Sequence, residues 1–113
     1  MGSRLLMAAL ACLAASCGYV EATSVHYVGV PRFKAVDPAT VQVLTSEPRE
    51  RHDRLGEVLL DISVDPAPPV ADIEKRLREE GAKMGANALY VVRDVARPGE
   101  DRKLIAIAVR LRQ

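Results

Sequence analysis

Hydrophobic and polar positions change period several times along the chain, and each change marks an element. Residues 5–15 are all Leu, Met or Ala apart from Cys12, a continuous apolar run with no polar face to offer water. Eleven such residues are too few to span a bilayer as a helix but match the core of an export signal. Residues 41–45 alternate, with Val41, Val43 and Thr45 on one side, and predict a short strand. Residues 55–63 resume the alternation, Val58, Leu60 and Ile62 on one face and Glu57 and Asp61 on the other. This second strand is expected to pair with the first. The prolines at 66, 68 and 69 end it, because they remove backbone donors and fix the dihedrals.

From Val70 the period becomes helical. Ile73, Leu77 and Met84, with Val70 and Gly81, form one stripe, while Glu74, Lys75, Arg76, Arg78, Glu79 and Glu80 cover the remainder. The pattern predicts one amphipathic helix over 69–84, with Gly85 placed to take the left-handed conformation that ends a helix. The Gly81–Gly85 spacing fits helix-on-sheet packing better than a membrane helix pair, since its flanks are charged. Residues 87–95 are apolar on both faces, as in a central strand. A turn at 97–101 then leads into 104–112, where Ile105, Ile107, Val109 and Leu111 alternate with Ala106, Ala108, Arg110 and Arg112. The order strand, strand, helix, strand, strand predicts an α+β fold, a mostly antiparallel sheet of about four strands with one helix packed on it.

Composition changes this picture only at its edges. Sixteen Lys and Arg against 15 Asp and Glu give a formal charge of +1, and Arg4 lies inside the export signal, so the exported part is balanced. Such a chain lacks the basic excess that grips nucleic acid. Residues 18–38, rich in Gly, Pro, Ser and Thr with one apolar patch at 25–30, are expected to form a tether containing at most a short strand. The boundaries are therefore a signal at 1–16, a modified N-terminus and tether at 17–40, and a small α+β domain at 41–113.

The end of the apolar run, Leu13-Ala14-Ala15-Ser16-Cys17-Gly18, resembles a bacterial lipoprotein signal, the lipobox, although that family prefers Leu three positions before the Cys and this chain has Ala14. The resemblance implies that Cys17 carries a diacylglycerol thioether and becomes the first residue of the mature protein. It implies a membrane anchor through an N-terminal lipid, and Gly18 in place of Asp points to the outer membrane. Cys12 also follows small residues, but its use would shorten the apolar core to seven residues. With Cys17 lipidated, the mature chain has no thiol to form a disulfide.

A second resemblance rests on Leu55-Gly56-Glu57-Val58 and on residues 81–92, Gly-Ala-Lys-Met-Gly-Ala-Asn-Ala-Leu-Tyr-Val-Val. Over about residues 41–112 the chain resembles the small domain of the RcsF and YbjQ-like family. That implies the same fold, with Asn87 bonding its own turn. The family's sensor carries two disulfides in this domain, and here there is no Cys to form them, so its redox behaviour is not implied.

Candidate chemistry is sparse. Beyond carboxylates, His26, His52 and Cys17 are the only residues of metal-ligating type after the signal, and the adjacent His52 and Asp53 would point apart in an extended loop. Ser46 and Ser63 lie in no nucleophile elbow. Tyr90 is read as core. The charged segment 47–54 carries Arg49, Arg51, His52 and Arg54, and is expected to be a hairpin tip whose arginines can meet carboxylates or phosphates of a partner. These observations predict a noncatalytic envelope lipoprotein with no cofactor or metal, whose periplasmic domain binds or senses a protein partner; a homo-oligomer is compatible with them. The alternative is an anchored heavy-metal-binding or enzymatic domain.

Overall fold

A computed structural model describes residues 18–112. The segment 1–16, expected to be an export signal, and Cys17 lie outside the described residues. The chain is α+β: β1 (Val20–His26), a 3-10 turn (Pro38–Thr40), β2 (Gln42–Leu44), β3 (His52–Ile62), α1 (Val70–Lys83), β4 (Ala88–Val95) and β5 (Arg102–Leu111). The five strands form one sheet in the order β1-β3-β5-β4-β2. Every neighbouring pair is antiparallel except β2 with β4, which is parallel.

The helix forms where the period predicts it. Ile73, Leu77, Gly81 and Met84 are buried against Val58, Leu60 and Ile62 of β3, Leu89 of β4, and Leu104, Ala106 and Ala108 of β5. Small alanines on β5 and Gly81 on the helix allow this close approach. A side-chain carbon at Gly81 would meet the Leu89 Cδ1 methyl at 3.0 Å. Val70, included in the predicted stripe, instead opens the helix with 68% of its surface exposed. Gly85 ends the helix at φ +78, and the Gly85 and Ala86 amides return to the Ala82 and Gly81 carbonyls.

Three expectations need correction. Residues 42–44 do not pair with β3. Both edges of β3 are already occupied, by β1 and β5, and the Gln42 amide donates to the Asn87 carbonyl at 3.0 Å, placing β2 beside β4 at the far side of the sheet. Nor is 18–38 a free tether. The strand begins at Val20, five residues before the apolar patch, and pairs with β3 along its whole length. The following loop returns Val30, Phe33 and Val36 to the core, and the Arg110 guanidinium lies 5.1 Å over the Phe33 ring. Finally, Asn87 does not bond its own turn: its side chain exchanges hydrogen bonds with the Leu111 amide and carbonyl, at 2.7 and 3.3 Å, and locks β4 to β5.

The addition of β1 also buries a charge. Glu80, on the helix flank expected to be solvated, retains only 6% of its surface, and its carboxylate accepts from the Ser24 hydroxyl at 2.7 Å and from Lys83 Nζ at 3.0 Å. Burial pushes this carboxyl up, but the Ser24 bond and the Lys83 and Arg76 charges outweigh it and hold it below the usual range. A folded-state value below the unfolded one contributes stability above about pH 4.5, lost as pH falls through the folded value. Glu80→Gln should therefore cost about 1 kcal/mol or more at neutral pH and flatten the acid limb of stability against pH. Urea melts of both proteins across that limb check the slope.

Candidate functional site

Alpha1 covers one face of the sheet; the opposite face is divided in two. Register fixes which side chains share each row. Nearest the Ile62 end lie Glu21, Asp61, Lys103 and Val95; next come Thr23, Leu59, Ile105 and Arg93; then Val25, Glu57, Ile107 and Tyr90. The alternation expected for β5 holds, and its bulky side chains, Ile105, Ile107, Val109 and Leu111, are the ones on this second face.

The half near the start of β3 is covered. Ala88, Tyr90 and Val109 are buried there, with Leu44, Ile107 and Leu111 packed around them. Tyr90 keeps only 3% of its surface, in agreement with its reading as core. Burial pushes its hydroxyl up, with Arg54 pulling the other way and Glu47 adding to the rise. The segment 45–51 is not a hairpin tip. It carries the chain from β2 at one edge to β3, past the ends of β4 and β5, because β2 and β3 are separated by two strands.

That path determines what the predicted loop residues do. Arg54 is exposed but paired with the Glu47 carboxylate, and His52 Nε2 lies 3.1 Å from the same oxygen while its Nδ1 donates to the Glu50 carbonyl at 2.7 Å. The Arg54 bond, then the His52 bond, hold Glu47 below the usual carboxylate range. Asp53 turns away from His52 to a two-bond pair with Arg112, at 2.7 and 3.3 Å. Of the four residues singled out from the sequence, Arg49 and Arg51 are exposed and have no acidic partner within 4.0 Å among the described residues. The two histidines do not converge: His26 Nδ1 donates to the Tyr27 carbonyl, whereas His52 belongs to the Glu47 pair.

The other half of the face is open. It forms a groove of about 520 Å³ with Leu59 and Ile105 as its apolar floor. One wall is basic, with Arg93 and Arg97 exposed; the other is acidic, with Glu21 and Asp61, and the turn residues Glu100 and Asp101 close one end. Lys103 crosses the floor to Asp61, lowering that carboxyl, and Arg102 makes a two-bond pair with Asp94 at 2.6 and 2.7 Å. Arg93 and Arg97 have no acidic partner within 4.0 Å among the described residues, so their donors remain for a ligand. The groove draws on β1, β3 and the consecutive strands β4 and β5, three separate stretches of sequence, and no local motif announces it. The alternation Val20-Glu21-Ala22-Thr23 was the available signal for its outer wall.

These features define a small α+β domain with a helix-packed face and a grooved open face. The chain matches no protein-family model and no curated protein. Among solved structures it is similar to the Francisella virulence factor FvfA, with a TM-score of 0.57 and 13% sequence identity over 80% of this chain and 97% of that one. The likeness establishes the shared fold.

Proposed function

We propose that this protein is a noncatalytic lipoprotein of the bacterial envelope, anchored through Cys17 in the outer membrane, whose periplasmic domain binds a protein partner. The groove on the open sheet face carries the reading. An apolar floor between walls of opposite charge suits a polypeptide segment, which can bury side chains on Leu59 and Ile105 while its own charges meet Arg93 and Arg97 or Glu21. A sensing role of the kind the RcsF-like resemblance implies would use the same surface. In the loop also expected to contact a partner, Arg54 and His52 are engaged with Glu47, which leaves Arg49 and Arg51 without an acidic partner among the described residues.

Crosslinking in the envelope followed by affinity capture tests this. Ile105→Asp should abolish capture of the partner by placing a charge on the floor, whereas Arg49→Ala combined with Arg51→Ala should leave capture intact. Thermal melts of both variants verify that the fold persists. The reverse pattern would transfer the contact to the loop, and capture unaffected by either change would contradict a partner on this face.

A further inference from the structure

A single peptide link separates Cys17, the residue proposed to carry the lipid, from the folded domain. Cys17 is bonded to Gly18, about 3.8 Å away from Cα to Cα, and Gly18 is already part of the fold. It lies so close to the segment after β3 that an added side-chain carbon would sit 2.6 Å from the Pro66 carbonyl oxygen and 2.8 Å from Ser63 Oγ. Tyr19 fixes the position: its amide donates to Ser63 Oγ at 2.8 Å, its carbonyl accepts from the Ser63 amide at 3.1 Å, and its hydroxyl donates to Asp101. The interfacial layer of a bilayer is only about 5–7 Å deep on each side. Whatever surrounds Gly18 must therefore meet that layer if Cys17 is lipidated.

The surroundings are apolar and exposed. Of the six large hydrophobic side chains exposed among the described residues, Tyr19 (49%), Val64 (51%) and Val70 (68%) lie beside Gly18 or on the segment it packs against. Pro66, Ala67 and Pro69 are exposed between the two valines. Nearby charges are mixed, with Asp65, Asp72 and Glu79 against Lys75 and Arg76. They provide no net attraction to anionic headgroups, so the contact is carried by apolar burial.

We propose that Tyr19 and residues 64–70 form a foot that rests in the phospholipid surface holding the Cys17 lipid, so that the domain sits directly on the membrane. This rests on the lipid anchor proposed above. The orientation follows from the fold. The open groove lies at the foot end of the sheet, and Arg49 and Arg51 lie beyond the other end of β3, an 11-residue strand that separates them from the foot by about 33 Å.

The mature lipidated protein can be tested in vesicles of phosphatidylethanolamine and phosphatidylglycerol. With Cys17 bearing the thioether, Val64→Cys or Arg49→Cys supplies one free thiol for an environment-sensitive fluorophore, and both sites are exposed enough to accept it. Doxyl-labelled lipid should quench the probe at 64 and blue-shift its emission, and should leave the probe at 49 at its aqueous intensity. Intact mass of each sample reports the lipid separately. A lipidated protein whose probe at 64 is no more quenched than that at 49 overturns the foot and leaves the anchor standing. Protein without lipid at Cys17 overturns both. Shielding of position 64 in native envelopes but not in vesicles would also overturn the proposal, because the loop would then be covered by protein.

Discussion

Leu77→Ala should unfold the domain at least about 8 °C below the unaltered protein, since removing a buried Leu costs about 2–5 kcal/mol and each kcal/mol moves the midpoint of a domain this size by about 4–8 °C. Leu77 retains 2% of its surface and stands in the middle of the helix stripe, between Ile73 and Gly81. The cavity left behind would open in a core cluster that includes the small side chains Ala82, Ala86, Ala106 and Ala108, which have little bulk to move into it. Arg78→Ala is the contrast, although Arg78 is not idle. Its Nε donates to the Val41 carbonyl at 3.2 Å and thereby pins the entry to β2, and its Nη2 reaches Glu74 at 3.5 Å. With 36% of the side chain exposed, loss of these bonds should cost only about 1 kcal/mol. Equal shifts in the two thermal melts would contradict the orientation of α1.

The helix was legible because its information is local: a stripe of Ile73, Leu77, Gly81 and Met84 repeats within one segment, and the same residues both form and orient it. Strands β3, β4 and β5 were legible for the same reason, each carrying its own alternation or apolar run. The partners of β3 were not. Adjacent strands pair in most folds, yet β2 departs to β4 because the partners of β3 come from residues 20–26 and 102–111. A period of two fixes which side chains share a face but not which face receives the helix. On β5 the helix takes the alanine side, because small side chains let it approach. Glu80 was misplaced by the same gap: its burial depends on β1, more than 50 residues away in sequence, and on the Ser24 hydroxyl that strand brings. Arg49, Arg51, His52 and Arg54 were recognisable as a charged cluster from sequence, whereas the partition that leaves the first two without an acidic partner among the described residues depends on where Glu47 lies.

Cys17→Ala should have the largest effect in the cell, transferring the protein from the membrane fraction to the soluble one or leaving an uncut precursor. Each buried methylene of an acyl chain contributes about 0.8 kcal/mol, and two or more chains hold a protein to a membrane where a single chain barely does. Among the described residues no helix is long and apolar enough to cross a membrane. The proposed foot adds only a few half-exposed apolar side chains, too little for retention alone. Cys12→Ala should leave fractionation unchanged, because the proposed cleavage before Cys17 would remove Cys12 with the signal. Mature-length Cys17→Ala protein still in washed membranes, or release by Cys12→Ala, would contradict the anchor.

The most direct measurement is the intact mass of the protein extracted from envelopes with detergent. The expected result is a polypeptide that begins at Cys17 and bears a diacylglycerol and an amide-linked acyl chain, with fragmentation placing both on Cys17. A mass equal to unmodified polypeptide, or a lipid located on Cys12, would contradict it.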